Sequence, residues 1–476
     1  MAQIALPGID YMVILQIIIV FGSATVLLLI DLLIPANQKR ITALLALVAT
    51  IAALIAGPYS HAGITMANTV AFGSSTLIVN SIILFATAIS ILFASDAMHK
   101  QGIERGETYI LMLLATGGML LLAQGSSLIT LFLGLELLSI ALYVLTAIAY
   151  PRLASEEAGL KYLIIGAFGA GFLVFGIALT FGATGTLVLS EIAARIPTTG
   201  IERGMFFTGI GLMLVGFGYK VSLVPFHMWT PDVYQGAPTP VTSFMSVGSK
   251  VASFIAIIAL VQMLGPEAQV ISPVLMGLAV LTMLVGSIVA INQTSLKRML
   301  AYSSISHAGF VLLGVLGSTQ ASGLRAPIFY LAAYTLTNLA AFGVIMTLEG
   351  SNERDLTLAD LRGLWSRNPW LTAIMALALL SLAGVPPTVG FLGKFLVISA
   401  VWQSGYAWLA VVAAFASAFA AFFYIRALLS MFSGTSEAPR ATANARSTLA
   451  LLIVAVGIIA VGLMPWSISA LALAGN

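Results

Sequence analysis

Fourteen apolar stretches run along this chain, and a helix needs about 20 apolar residues to cross a bilayer. They cover 11–34, 41–57, 76–95, 107–124, 127–149, 158–183, 204–236, 239–264, 272–291, 296–316, 326–348, 369–400, 406–432 and 447–470. Lipid offers the backbone no hydrogen-bond partner, so spanning segments satisfy it internally. The chain is 60% hydrophobic and 8% charged, where soluble chains carry about 25% charged residues. The expected fold class is therefore an all-α integral membrane protein of about fourteen spans, built as one transmembrane bundle in the lipid bilayer.

Composition excludes several chemistries. The net charge is +3, and the basic residues are scattered over short loops, so no nucleic-acid surface is implied. The chain has no cysteine, which excludes disulfides and cysteine-held iron–sulfur clusters within it. MAQIALPGIDYMV lacks the basic start of a cleavable signal peptide, so the first apolar run reads as a retained helix. No metal-ligand spacing and no nucleophile triad is visible. The glycines of GAFGAGFLVFG follow no strand and read as close helix packing.

Two stretches are too long for one straight span. The first, 204–236, is interrupted at Pro225, and the second, 369–400, at Gly384-Val385-Pro386-Pro387. Non-helical backbone at membrane depth is tolerated only inside protein or along a watery cavity. The interrupted segments are spans 7 and 12, an odd five helices apart, so they cross in opposite directions. That pattern predicts two inverted five-helix repeats, spans 4–8 and 9–13, with helices 7 and 12 broken. The expected units are three N-terminal helices over 1–106, repeats over 107–264 and 272–432, and a last helix at 447–470.

The basic residues set the orientation. With the N-terminus outside, the inner loops hold Lys39, Arg40, Lys100, Arg105, Arg152, Lys297, Arg298, Arg354, Arg362, Arg367, Arg440 and Arg446. The outer loops hold Arg195, Arg203 and Arg325. Twelve against three places both termini outside.

Four lysines and one glutamate stand out within the spans: Glu136, Lys161, Lys220, Lys250 and Lys394. A charge in hydrocarbon is costly and normally faces a bundle interior or a hydrated path. A packing role asks for balanced pairs, yet here lysines outnumber carboxylates, and a buried amine exchanges its proton more readily than one in water. Glu136 and Lys250 lie near mid-depth, Lys220 just before the first break, and Lys394 shortly after the second. Lys161 lies nearer the inner surface, where snorkelling is an equal alternative. Of four histidines, His61 and His99 read as surface residues. His227 follows the first break, and His307 sits in SLKRMLAYSSISHAGFVLLG beside Tyr302, Ser303, Ser304 and Ser306. Both fit either a core role or a proton relay. Asp232 either caps a turn or lines an inlet.

Three segments carry a resemblance: KVSLVPFHMWTPDVYQGAPTPVTSFMSVGSK, LKRMLAYSSISHAGF and SLAGVPPTVGFLGKF. They resemble the antiporter-like membrane subunits of respiratory complex I, the proton-pumping NADH–quinone oxidoreductase, and the likeness extends over essentially the whole chain. Lys394 in the second broken helix, KYL opening span 6 and the stop after fourteen spans resemble its N-type branch. The resemblance implies a proton path of Glu136 paired with Lys220, then Lys250, His307 and Lys394, with Lys161 and His227 completing the axis. It also implies no cofactor in this chain. NADH, FMN, iron–sulfur clusters and quinone would be held by other subunits, and further membrane subunits would flank this one. An energy-coupling membrane, the bacterial plasma membrane, is the implied location. Two readings stand beside it: a multisubunit cation/proton antiporter or related redox-driven pump, and a structural scaffold with no ion path.

Overall fold

The computed structural model describes residues 8–317, 324–351, 354–434 and 441–464 of the 476-residue chain. Arg440 and residues 465–470 of the last expected span lie outside the described residues. The helices are α1 (Leu15–Asp31), α2 (Arg40–Ala56), α3 (Ser74–Lys100), α4 (Gly106–Gln124), α5 (Leu128–Thr146) and α6 (Leu153–Thr184). Next come α7 (Leu189–Ala194), α8 (Gly200–Val221), α9 (Trp229–Gly236), α10 (Thr239–Leu264), α11 (Ala268–Ile291) and α12 (Leu296–Gly317). The remainder are α13 (Arg325–Glu349), α14 (Leu364–Arg367), α15 (Pro369–Ala383), α16 (Val389–Gln403), α17 (Ala407–Phe432) and α18 (Ala445–Leu463).

Among the described residues, eleven segments are long and apolar enough to cross a membrane. One, Thr239–Ile291, is two helices joined by a short turn at Gly265–Glu267, and α1, α15 and α16 are shorter apolar helices. With α8 and α9 forming one broken crossing, and α15 and α16 another, the fourteen expected spans are accounted for. Short α7 and α14 lie in connections. One element departs from the all-helical expectation: an antiparallel hairpin, β1 (Gly63–Thr65) and β2 (Val70–Phe72), between α2 and α3. Its turn residues Met66, Ala67 and Asn68 all take positive φ.

The two repeats are legible in matched hydrogen bonds. Leu128 N–H bonds Leu187 C=O and Leu189 N–H bonds Ser126 C=O; Leu296 N–H bonds Leu356 C=O and Leu358 N–H bonds Thr294 C=O. The same miniature bridge thus opens α5 and α12. The helix before each lies unusually close. A Cβ on Gly118 in α4 would stand 2.5 Å from Leu138 N, and a Cβ on Gly286 in α11 would stand 2.5 Å from Ser306 N. Only glycine permits either approach.

The broken helices match as well. Ser222 caps the end of α8 and Gly384 that of α15, both left-handed with φ of 68° and 88°. The next N–H reaches back in the same way, Leu223 to Gly218 C=O and Val385 to Leu380 C=O, satisfying carbonyls that a broken helix would orphan. Pro225 and Pro387 follow at equal distance and prevent the helix from simply continuing. Within the bundle α12 and α13 are central, with 94% of their spans buried, whereas α6 buries 28% and turns an apolar face outward.

Candidate functional site

Lys220, Lys250 and Lys394 are buried, and each ammonium is held by neutral oxygens. Lys220, one residue inside the end of α8, donates to Ser139 Oγ at 2.8 Å and to Tyr162 OH at 2.9 Å. Its Nζ lies over the Tyr162 ring at 4.9 Å and near the Tyr143 ring at 5.6 Å. Tyr162 in turn stacks on Trp229, at 4.5 Å between centroids, and Trp229 donates to Tyr219 C=O. The loop after the break is thereby pinned beneath the lysine it follows.

Lys250, in the middle of α10, donates to Ser304 C=O at 2.7 Å and to Ser304 Oγ at 2.5 Å. Tyr334 OH donates to the same Oγ at 2.8 Å. His307, one turn further along α12, has Nδ1 2.7 Å from Tyr330 OH and Nε2 3.1 Å from Tyr424 OH. Tyr424 also bonds Ser303. The His307 ring lies 5.2 Å from that of Tyr334, and a small cavity between α12, α13 and α15/α16 is lined by His307, Tyr334, Thr337 and Ser381.

Lys394, early in α16, donates to Ala383 C=O at 3.0 Å and Ser417 Oγ at 2.9 Å, with Nζ 5.1 Å from the Phe310 ring centre. Ala383 is the last residue of α15. Its carbonyl is freed by the break, so the break itself supplies the acceptor for the lysine. The charges of Lys250 and Lys394 both act on His307 between them.

The structure thus gathers Lys220, Lys250, His307 and Lys394 along the buried interior and leaves three other expected residues elsewhere. Glu136 sits on α5 one turn from Ser139, partly exposed. It feels the charge of Lys220, but the two form no direct ion pair: the ammonium bonds Ser139, one turn along α5, instead. Lys161 is 42% exposed and pairs with Glu157 at 2.7 Å and Asp232 at 3.0 Å. Asp232 also holds Arg298 at 2.7 Å. Lys161 therefore belongs to a charged network at the bundle surface, outside the buried row, because the first turns of α6 meet solvent. His227 is partly buried beside exposed Pro225 and Met228. Asp232 is likewise a surface pairing residue.

Two groups escaped the sequence reading. Tyr143, Tyr162, Tyr330, Tyr334 and Tyr424 line the row with hydroxyls and rings, where aromatic residues in apolar runs read as packing. Lys297, assigned above to an inner loop, is buried: its Nζ lies 3.8 Å from Glu349 Oε1, with side chains 1% and 0% exposed. The signal was available, since Lys297 stands two helical turns before Ser304 on one face of α12.

Among the described residues no cluster of His, Asp and Glu could hold a metal ion. What the arrangement offers is a series of proton-carrying nitrogens separated by hydroxyls, each nitrogen lacking a carboxylate at contact distance.

Residues 125–420 match the family described as NADH:quinone oxidoreductase/Mrp antiporter, transmembrane. The chain is 49% identical to "NADH-quinone oxidoreductase subunit N 2" of Roseiflexus castenholzii over 98% of this chain and 96% of that one. It is 45% identical to "NADH-quinone oxidoreductase subunit N" of Chloroflexus aggregans over 99% and 98%. Its structure is similar to a chain of respiratory complex I from Thermus thermophilus, with a TM-score of 0.81 and 33% identity over 94% and 97%. A chain of the Mrp complex from Dietzia sp. shares the fold, with a TM-score of 0.85 at 21% identity over 96% of each chain.

Proposed function

We propose, from the premise that this chain belongs to the NADH:quinone oxidoreductase/Mrp antiporter family of membrane subunits and within it to the subunit N branch, that it carries protons across an energy-coupling membrane. The quinone reduction that drives them takes place in other subunits. NADH, FMN, iron–sulfur clusters and quinone belong to those subunits, and other antiporter-like and small membrane subunits flank this one. The membrane is the bacterial plasma membrane, with both termini outside. The proton path runs through Glu136, Lys220, Lys250, His307 and Lys394, the residues of the two inverted units α4–α10 and α11–α17.

One observation carries the reading: three buried ammonium groups held by hydroxyls and carbonyls alone. A scaffold would gain nothing from paying the desolvation of three unpaired cations, whereas a relay needs sites that bind a proton and then release it. The cation/proton antiporter reading is weaker, because Lys394 stands among an amide carbonyl and a serine with no carboxylate to ligate a hard cation. The test is Lys220→Ala in membranes, with assembly checked by native electrophoresis. An assembled complex should lose quinone reduction and proton pumping together. Normal pumping in that assembled variant would make Lys220 structural and put the scaffold reading first.

A further inference from the structure

The row described above stops at Lys250 on its inner side, yet polar groups continue beyond it. Thr239, Ser243, Ser246 and Lys250 recur on one face of α10 at helical spacing. Lys297 and Ser304 do the same on α12, and Glu349 and Asn338 on α13. These faces meet. Asn338 Nδ2 donates to Ser246 Oγ at 2.6 Å. At the inner end of the seam Thr239 Oγ1 donates to Glu349 Oε1 at 2.9 Å and accepts from Lys297 Nζ at 3.1 Å. Lys297 also reaches Ala237 C=O at 3.3 Å.

Just outside this pair, in the orientation proposed above, lies the charged surface layer. Asp232 there bonds Lys161 and Arg298, Arg298 bonds Gln235, and Gln235 bonds Asp355. The order from the inner surface is thus a half-exposed charged layer, a buried ion pair, a polar seam and Lys250. Eleven residues separate Thr239 from Lys250, roughly 16 Å at 1.5 Å rise per residue. Within the seam Ser243 Oγ and Asn338 Oδ1 are buried with no protein partner. Polar atoms so placed are normally satisfied by water.

We propose that the seam between α10, α12 and α13 is the inner proton inlet to Lys250, and that Lys297 and Glu349 are its gate. A proton arriving from the surface layer binds a Glu349 oxygen, forming one O–H bond. The carboxyl becomes neutral and loosens its hold on the Lys297 ammonium. Lys250 first passes its own proton onward and stands as the neutral amine; the Glu349 O–H bond then breaks, the proton moves along hydroxyls and water to the Lys250 nitrogen, the carboxylate is restored and the pair recloses. The titratable groups facing the gate are Lys161, Asp232, Arg298 and Asp355 outward and Lys250 inward. The inference rests on the proton-carrying role proposed above.

The test uses the whole complex in its membrane. A buried ion pair that only stabilises can be exchanged for apolar side chains of similar volume without harm, whereas removing one partner is damaging. The double variant Lys297→Met/Glu349→Leu should therefore assemble, and on the gate reading its quinone reduction and pumping fall at least tenfold. Wild-type pumping in the assembled double variant would overturn the gate. Asn338→Leu decides the matter independently, including the case where the double variant does not assemble, since Ser246 keeps its bond to Ser243 C=O. Turnover of Asn338→Leu should fall at least threefold, rise more steeply with acid than the wild type and show a larger solvent deuterium isotope effect. An unchanged rate and pH profile would refute the inlet. Lys220→Ala, measured in parallel, separates the two levels. If it alone loses pumping, the gate fails and the proton-carrying role stands; if it too pumps normally, the role itself fails.

Discussion

Lys250→Met separates a proton carrier from a structural cation, because the opposing energies nearly cancel. The wild-type ammonium makes two charge-assisted hydrogen bonds to Ser304, each worth about 1.5–3 kcal/mol. Against this stands the desolvation of a fully buried ammonium, on the order of several kcal/mol. Methionine fills nearly the same volume, and such exchanges cost less than about 1.5 kcal/mol. No acceptor is stranded, since Ser304 Oγ still receives Tyr334 OH at 2.8 Å and its carbonyl lies within α12. The net change in stability should stay within about 2 kcal/mol, and assembly on a native gel should match the wild type. Turnover should not. With the amine gone, a proton crossing the bundle centre must rest on a serine or tyrosine hydroxyl, a far weaker base. Quinone reduction and pumping should fall at least tenfold, about 1.4 kcal/mol or more on the limiting barrier. Lys250→Arg, which keeps the charge but does not release its proton, should lose turnover as well. An assembled Lys250→Met complex that pumps at the wild-type rate would refute the argument.

Four further outcomes follow. His307→Phe strands the Tyr330 hydroxyl, at about 1–3 kcal/mol, while Tyr424 keeps its bond to Ser303; thermal melting of the purified complex should drop and turnover should fall with it. Gly286→Ala drives a Cβ to 2.5 Å from the Ser306 backbone and should abolish assembly, read by native electrophoresis, and Gly118→Ala should behave alike. Lys161→Ala removes an exposed pair worth about 0–1 kcal/mol, so assembly and turnover should stay within twofold. Burial works to raise the Asp360 carboxyl, but bonds from the Thr357 hydroxyl and backbone N–H and the charge of Arg354 outweigh it and hold the group below 3.8. A lowered folded value means stability present above pH 3.8 and lost as pH falls through the folded value. Asp360→Asn should lower the melting temperature at neutral pH and flatten its decline in acid.

The spans were legible because hydropathy is a strong, local signal, and the breaks because proline and glycine act on backbone geometry wherever they stand. Other features were legible only in three dimensions. Lys297 stands second in the expected span 296–316, and position at the inner end of a span alone counts it with the inner-loop charges. α12 begins at Leu296 as expected, and Glu349, the last residue of α13, pairs with the buried ammonium. For Lys161, placed nearer the inner surface, the sequence left a path role and snorkelling equally open; its side chain meets Glu157 and Asp232 at the bundle surface. The tyrosines around Lys220 and His307 carry no linear signal, since Tyr162 and Tyr424 become neighbours of the row only when α6 and α17 pack. The hairpin at Gly63–Phe72 was missed because strands of three residues are too short for an alternating pattern to register.

Backbone and charge obey different symmetries here, and the difference bears on direction. Measured from their matched bridges, Glu136 on α5 stands where Ser304 stands on α12, and Ser139 where His307 stands. Measured from the left-handed residues at the breaks, Lys220 corresponds to Leu382 and Asp232 to Lys394. The backbone is thus repeated while its titratable groups are not. Two inverted repeats with identical charges would be equivalent from either end, and a proton at the centre would feel no preference for one half. With a carboxylate at one end of the row and an ammonium at the other, a positive charge on Lys220 is favoured by Glu136, and one on His307 is opposed by Lys394 and Lys250. Equalising the ends tests this. Glu136→Gln removes the attraction on Lys220 and leaves every hydrogen bond of Lys220 in place. It should slow coupled turnover without loss of assembly, and unchanged turnover would mean that the charge asymmetry is incidental to the path.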